Sequence, residues 1–156
     1  MITLNLINDF LEPRKMAVVG ASRNTKKFGG AVFRKLKEKG FDVYPVNPNA
    51  GEIQEVKCHK TVNDLPGDVT HVLILTPANE TEEVAKACVK KGVKMVWIQQ
   101  KSDTPEAIRI IEDAGVPLIY KKCIMMFADP VKSFHKFHRS WVKFFGNYPK
   151  MVRSAN

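Results

Sequence analysis

Apolar residues fall into five short unbroken runs, separated by longer stretches in which apolar positions recur every three or four residues. The runs cover residues 15–20, 42–46, 72–75, 95–98 and 117–120. They are short and mostly rich in β-branched residues. They read as strands, and an unbroken run such as Val72-Leu73-Ile74-Leu75 suits a strand buried on both faces of a parallel sheet. After the first run, a helix is expected at about 28–39, with Val32, Phe33 and Leu36 on one face, cations on the other and Gly40 as its stop. A second is expected from Asn79, where Glu82 three residues on resembles a capping box. Its apolar face is Val84, Ala85, Cys88 and Val89, and it ends at Gly92. A third opens with Thr104-Pro105, an N-cap followed by proline at N1, and ends at Gly115. Ahead of the first strand, Leu4, Leu6, Ile7, Phe10 and Leu11 form a short helical stripe, expected to pack on the sheet edge. Between 51 and 66 the pattern gives only a small extra strand near 55–58 and a turn or single helical turn near 63–66.

Strands alternating with helices imply repeated βαβ units with right-handed crossovers. The expected fold is α/β, a Rossmann-like doubly wound sheet of five mainly parallel strands in the order 3-2-1-4-5. A ligand crevice then lies at the C-terminal strand ends. Those ends are residues 20–27, Asn47-Pro48, Thr76-Pro77-Ala78, Gln99-Gln100 and Cys123. The 156 residues suit one domain, with its core over 14–126 and a C-terminal helical extension over 128–156. Val131, Phe134, Phe137, Trp141, Phe144 and Phe145 follow Asp129-Pro130 at helical spacing. That broad aromatic stripe suits packing on the sheet or on a second copy, so a homodimer is expected.

The first strand feeds Gly20-Ala21-Ser22-Arg23-Asn24-Thr25-Lys26-Lys27, then the helix. A helix N-terminus carries unpaired N–H groups and partial positive charge, so the turn reads as a phosphate cradle. Ser22 stands where the dinucleotide fingerprint has its second glycine. The charge of +9 is uneven. Residues 14–40 hold nine Lys or Arg against Glu38, and residues 121–153 hold eight against Asp129. This points to an anionic partner or simply to solubility. No apolar stretch reaches the ~20 residues of a membrane span, and no secretory leader is evident. Three widely spaced cysteines fit neither a disulfide framework nor a zinc motif, so a cytoplasmic compartment is expected.

An NAD site normally has a carboxylate at the end of the second strand, where Val46-Asn47-Pro48-Asn49 stand. A 2′-phosphate would need a cation there, and the first is Lys57. The residues leave three readings open: a binding module for a phosphorylated nucleotide cofactor, an NAD(P)-binding oxidoreductase or redox sensor, and, on charge alone, a nucleic-acid-binding domain.

Val19-Gly20-Ala21-Ser22-Arg23-Asn24, Val43-Tyr44-Pro45-Val46-Asn47-Pro48, Leu65-Pro66, Trp97-Ile98-Gln99 and Lys122-Cys123-Ile124-Met125 resemble the small stand-alone CoA-binding proteins. These are related to the N-terminal domain of the succinyl-CoA synthetase alpha subunit. The resemblance covers about residues 14–126 and implies a Rossmann-like domain binding coenzyme A or an acyl-CoA. It implies that Gly20, Ala21 and Ser22 contact the diphosphate and that Arg23 and Lys26 meet phosphate charge. Val46, Asn47 and Pro48 would bracket the adenosine portion. Thr76 and Pro77 would form the facing wall, and Gln99 and Cys123 would border the pantetheine channel. The 3′-phosphate would lie among Arg23, Lys26 and Lys27. The acidic residue that often follows the cysteine in this family is replaced by Met126-Phe127. The synthetase's second domain and phosphohistidine motif have no counterpart in the sequence, and none of the four histidines lies in a comparable setting. The expectation is a non-catalytic protein with no metal site.

Overall fold

The computed structural model describes residues 2–128; the aromatic stripe and the dimer expected from it lie outside the described residues. Helix α1 (Leu4–Leu11) precedes β1 (Lys15–Val19), α2 (Phe28–Glu38) and β2 (Asp42–Val46). A two-stranded hairpin, β3 (Glu52–Ile53) and β4 (Val56–Lys57), and a single 3-10 turn (Val62–Asp64) lead to β5 (His71–Ile74). Then come α3 (Ala78–Lys91), β6 (Met95–Gln99), α4 (Pro105–Asp113), β7 (Leu118–Lys122) and a last 3-10 turn (Ile124–Met126). The α/β class and the parallel five-stranded sheet are as expected.

The strand order is not. The sheet runs β2-β1-β5-β6-β7, which in terms of the five long strands is 2-1-3-4-5 instead of 3-2-1-4-5. The outer edge of β2 is occupied by the chain that follows it. His59 forms a parallel bridge with Val46, its N–H donating to Pro45 O (2.9 Å) and its carbonyl accepting from Asn47 N (2.9 Å). The third long strand therefore pairs with the free side of β1, and the order reverses between β1 and β5. In such sheets the crevice opens at that reversal.

Two apolar layers sandwich the sheet. One face is covered by α1, α2 and the segment after β7, through Phe10, Phe33, Leu36, Trp97 and Ile124. The other is covered by α3 and α4, through Ala85, Cys88, Ala107 and Ile111. Helix α1 starts where Thr3 Oγ1 accepts from Leu6 N (3.2 Å). It packs over the middle of the sheet and not its edge. Phe10 meets the rings of His71 and Trp97 edge-on, at 5.5 and 5.4 Å. Thr104 caps α4 as expected, accepting from Ala107 N (3.1 Å). Helix α3 differs: it begins one residue before Asn79, with Pro77 at its N-cap and no side-chain cap bond. A reciprocal cap occurs instead at Thr61 and Asp64.

His71 is buried beneath α1, with Nδ1 3.0 Å from Thr70 Oγ1. Burial, aided by the charge of Lys94, lowers the imidazole from its ordinary 6.5, against a raising hydrogen bond to the Asp9 backbone. The unfolded chain then binds the proton first as pH falls below about 6.5, and stability is lost through that window, by at most about 1.4 kcal/mol per pH unit. Urea unfolding across that range should show the loss in the native chain. His71→Phe, which keeps a ring against Phe10 but cannot titrate, should flatten it.

Candidate functional site

Four segments meet where the sheet order reverses. The first is the turn after β1. Gly20 takes φ +88°, and a Cβ there would lie 2.9 Å from the backbone carbon of Leu75, so both conformation and space demand glycine. The turn folds back on itself: Asn24 N donates to Ser22 Oγ (3.1 Å), and Lys26 N donates to Asn24 Oδ1 (2.9 Å). Helix α2 is pressed onto its start, since a Cβ on Gly29 would come 2.0 Å from Gly20 O. Lys27 is the N-cap of α2 and makes no side-chain cap bond, and no acid stands in the first turn. The first N–H groups of α2 thus lack an intrahelical acceptor, and a helix N-terminus of this kind is favourable to an anion.

The second segment is the end of β2. Asn47 Nδ2 donates to Ala21 O (2.8 Å), and its Oδ1 accepts from Asn49 N (2.8 Å). Its amide ties the two turns together. The third is the segment that runs on from His59. Its 3-10 turn is closed by Asp64, whose carboxylate accepts from both the N–H and the hydroxyl of Thr61 (2.9 and 2.8 Å). Those bonds hold the Asp64 carboxyl below its ordinary range. The fourth is the end of β5. There Thr76 Oγ1 lies 3.0 Å from Thr81 Oγ1, which donates to Pro77 O (3.2 Å), fixing the start of α3.

Between these walls lies a cavity of about 850 Å³, within the usual range of small-molecule sites. Of the residues singled out from the sequence, Gly20, Ala21, Ser22, Val46, Asn47, Pro48, Thr76 and Pro77 line it. Arg23 and Lys26 do not; they are exposed on the outer part of the turn, while Lys27 lines the cavity. Gln99 and Cys123 do not line it either. Strand β5 stands between β1 and β6, so their strand ends lie one and two places further along the sheet. Gln99 is 2% exposed, and its Oε1 accepts from Ile124 N (3.1 Å). Cys123 is buried in the core at the start of the last turn. The sequence reading missed Lys60, Thr61, Val62 and Asn63, and Asn79, Glu80, Glu83, Val84 and Ala87 from α3. The signal for the former was the Thr61-x-x-Asp64 pattern, a capping box without a long helix behind it.

The lining is suited to a nucleotide. Lys27 and Lys60 supply positive charge, Asn49, Asn63 and Asn79 supply amides, and Val46, Val62, Val84 and Ala87 supply apolar surface. Among the described residues no three His, Cys, Asp or Glu side chains gather as metal ligands. Among the described residues, neither histidine nor cysteine lines the cavity. Burial pushes the Cys88 thiol up to about 12 and raises that of Cys58, so both are poor nucleophiles at neutral pH.

Residues 14–129 match the family described as the CoA binding domain. The chain belongs to that family. Coenzyme A is accordingly its cofactor, and the resemblance read from the strand-end motifs holds. The alpha subunit of the ADP-forming acetate–CoA ligase II of Pyrococcus furiosus is 35% identical over 130 residues. That alignment covers 76% of this chain and 28% of the subunit's length. A conserved hypothetical protein of Pyrococcus furiosus is 41% identical, with TM-score 0.69 over 71% of this chain and 96% of that one. A hypothetical protein of Pyrococcus horikoshii is 33% identical, with TM-score 0.73 over 80% and 88%. No described helix is long and apolar enough to cross a membrane.

Two substitutions probe the construction of the site. Gly29→Ala drives a methyl group into Gly20 O and should destabilise the fold by about 1–3 kcal/mol while weakening ligand binding. Asn47→Ala leaves Ala21 O without its donor and should cost about 1–3 kcal/mol. Urea unfolding of each variant, with and without CoA, checks both.

Proposed function

We propose that the protein is a binding module for coenzyme A or an acyl-CoA, non-catalytic in itself, with the cofactor's phosphates held at the turn between β1 and α2. The observation that carries this reading is the acid-free N-terminus of α2, with Lys27 at its N-cap making no side-chain cap bond, opening into the cavity. A diphosphate there takes its hydrogen bonds from backbone N–H groups and the Ser22 hydroxyl. The adenosine portion lies between the Val46-Asn47-Pro48 turn and the α3 wall, where amides and apolar groups alternate. The diphosphate needs no carboxylate at the end of β2, and none stands there.

The ligase relative supports the same ligand. It is named for a reaction that uses CoA, and this chain aligns with 28% of its length. The reading of a binding module is supported by the lining, whose described residues offer groups to hold phosphate, sugar and base. Three free, buried cysteines fit a reducing compartment such as the cytoplasm.

Thermal unfolding of ligand-free protein with CoA, acetyl-CoA, NAD, NADP and ATP tests this. A ligand at a hundred times its Kd adds about 2.7 kcal/mol, which is roughly 5–10 °C in a domain of this size. CoA and acetyl-CoA should raise the midpoint by that much, and NAD and NADP should not. A rise with NAD(P) alone would reverse the assignment to the oxidoreductase reading.

A further inference from the structure

Two lysines line the cavity, and only one of them belongs to the phosphate turn. Lys60 comes from the far side of β2. The bridge between His59 and Val46 lays this segment along the outer edge of β2, and Cys58 N donates to Gly51 O (2.9 Å) to hold it there. On the other side Lys60 runs into the Thr61–Asp64 cap. Its backbone is thus fixed from both directions at the rim of the cavity, two strand spacings, or roughly 10 Å, from the end of β1. No ion pair or hydrogen bond engages its side chain among the described residues, while Lys15, Lys35, Lys86 and Lys91 are all tied to protein oxygens. The nearby Asp64 carboxylate is turned to Thr61 and does not line the cavity. Carboxylates that do line it, Glu80 and Glu83, sit on the α3 wall and repel an anion from that side.

A second cation, held apart from the diphosphate turn and without a protein partner, matches a ligand with a second, separate anionic group. Coenzyme A has one: the phosphate monoester on the ribose, which leaves the sugar at a different carbon from the diphosphate. We propose that Lys60 binds the 3′-phosphate of CoA and sets the preference for CoA over dephospho-CoA. This rests on the CoA reading above. It moves the 3′-phosphate from the expected set of Arg23, Lys26 and Lys27, of which only Lys27 lines the cavity, to the end of β2. The cation that the sequence lacks directly after that strand is returned by the bridge from fourteen positions beyond Val46.

Calorimetric titration of the full chain with CoA, dephospho-CoA, NADP and NAD tests the assignment, on the native protein and on Lys60→Gln and Lys26→Gln. Native protein should bind CoA about 10- to 100-fold more tightly than dephospho-CoA, as expected of a charge-assisted contact. Lys60→Gln should abolish that preference, weakening CoA far more than dephospho-CoA, and leave the ligand-free melting temperature unchanged. If Lys60→Gln keeps the preference, weakens both ligands equally, or is outdone by Lys26→Gln, the assignment is overturned and CoA binding stands. Equal native affinity for CoA and dephospho-CoA also overturns it. A Lys60-dependent preference for NADP over NAD, without one for CoA, would reassign the contact to a 2′-phosphate. Native protein that binds neither CoA nor dephospho-CoA would remove the CoA reading itself.

Discussion

The pairing of β5 with the free edge of β1 is the constraint on which the site depends. It sets the reversal of strand order beside Gly20, and it brings Leu75 so close that no side chain fits at that position. Gly29 repeats the demand from the other direction, letting α2 start directly on the Gly20 carbonyl. The two close approaches leave the first N–H groups of α2 at the floor of an open crevice. Backbone polar groups normally find partners when buried; the partner we propose here is an anion from outside.

The walls are built from hydrogen bonds that serve shape before chemistry. Asn47 spends its amide on Ala21 and Asn49, Thr76 meets Thr81, and Asp64 closes its own turn. These groups are polar and sit at strand ends, so they attract a functional reading, yet each is engaged by the protein. What remains free to meet a ligand is a smaller set: the α2 N-terminus, the Ser22 hydroxyl proton, the two lysines and the amides on the rim. The rigid scaffold beneath them is the two-layer core, in which Phe10, Trp97 and Phe33 are fully buried.

Much of this was legible in the sequence, and the failures have physical causes. Short apolar runs and glycine-stopped helices located every long strand, because parallel strands buried on both faces leave a distinctive pattern. The strand order was misread because periodicity describes each element's faces and not its neighbours. In the observed order the outer edge of β2 is taken by a bridge at His59, in a connection with little apolar signal. In an order of 3-2-1-4-5 the strand ending at Gln99 would adjoin β1, with Cys123 one place further on; in the observed order neither residue lines the cavity. The observed order puts Thr76 and Pro77 beside Gly20 instead. The same bridge delivers Lys60, which no local pattern could have placed at the end of β2.

We propose that phosphate is held by the backbone at the start of α2. Amide chemical shifts of the isotope-labelled chain, followed as CoA is added, test it most directly. The largest changes are expected at Ser22, Phe28, Gly29 and Gly30, with a second group around Asn47 and Lys60. Changes confined to the opposite face, around α1 and β7, would contradict it.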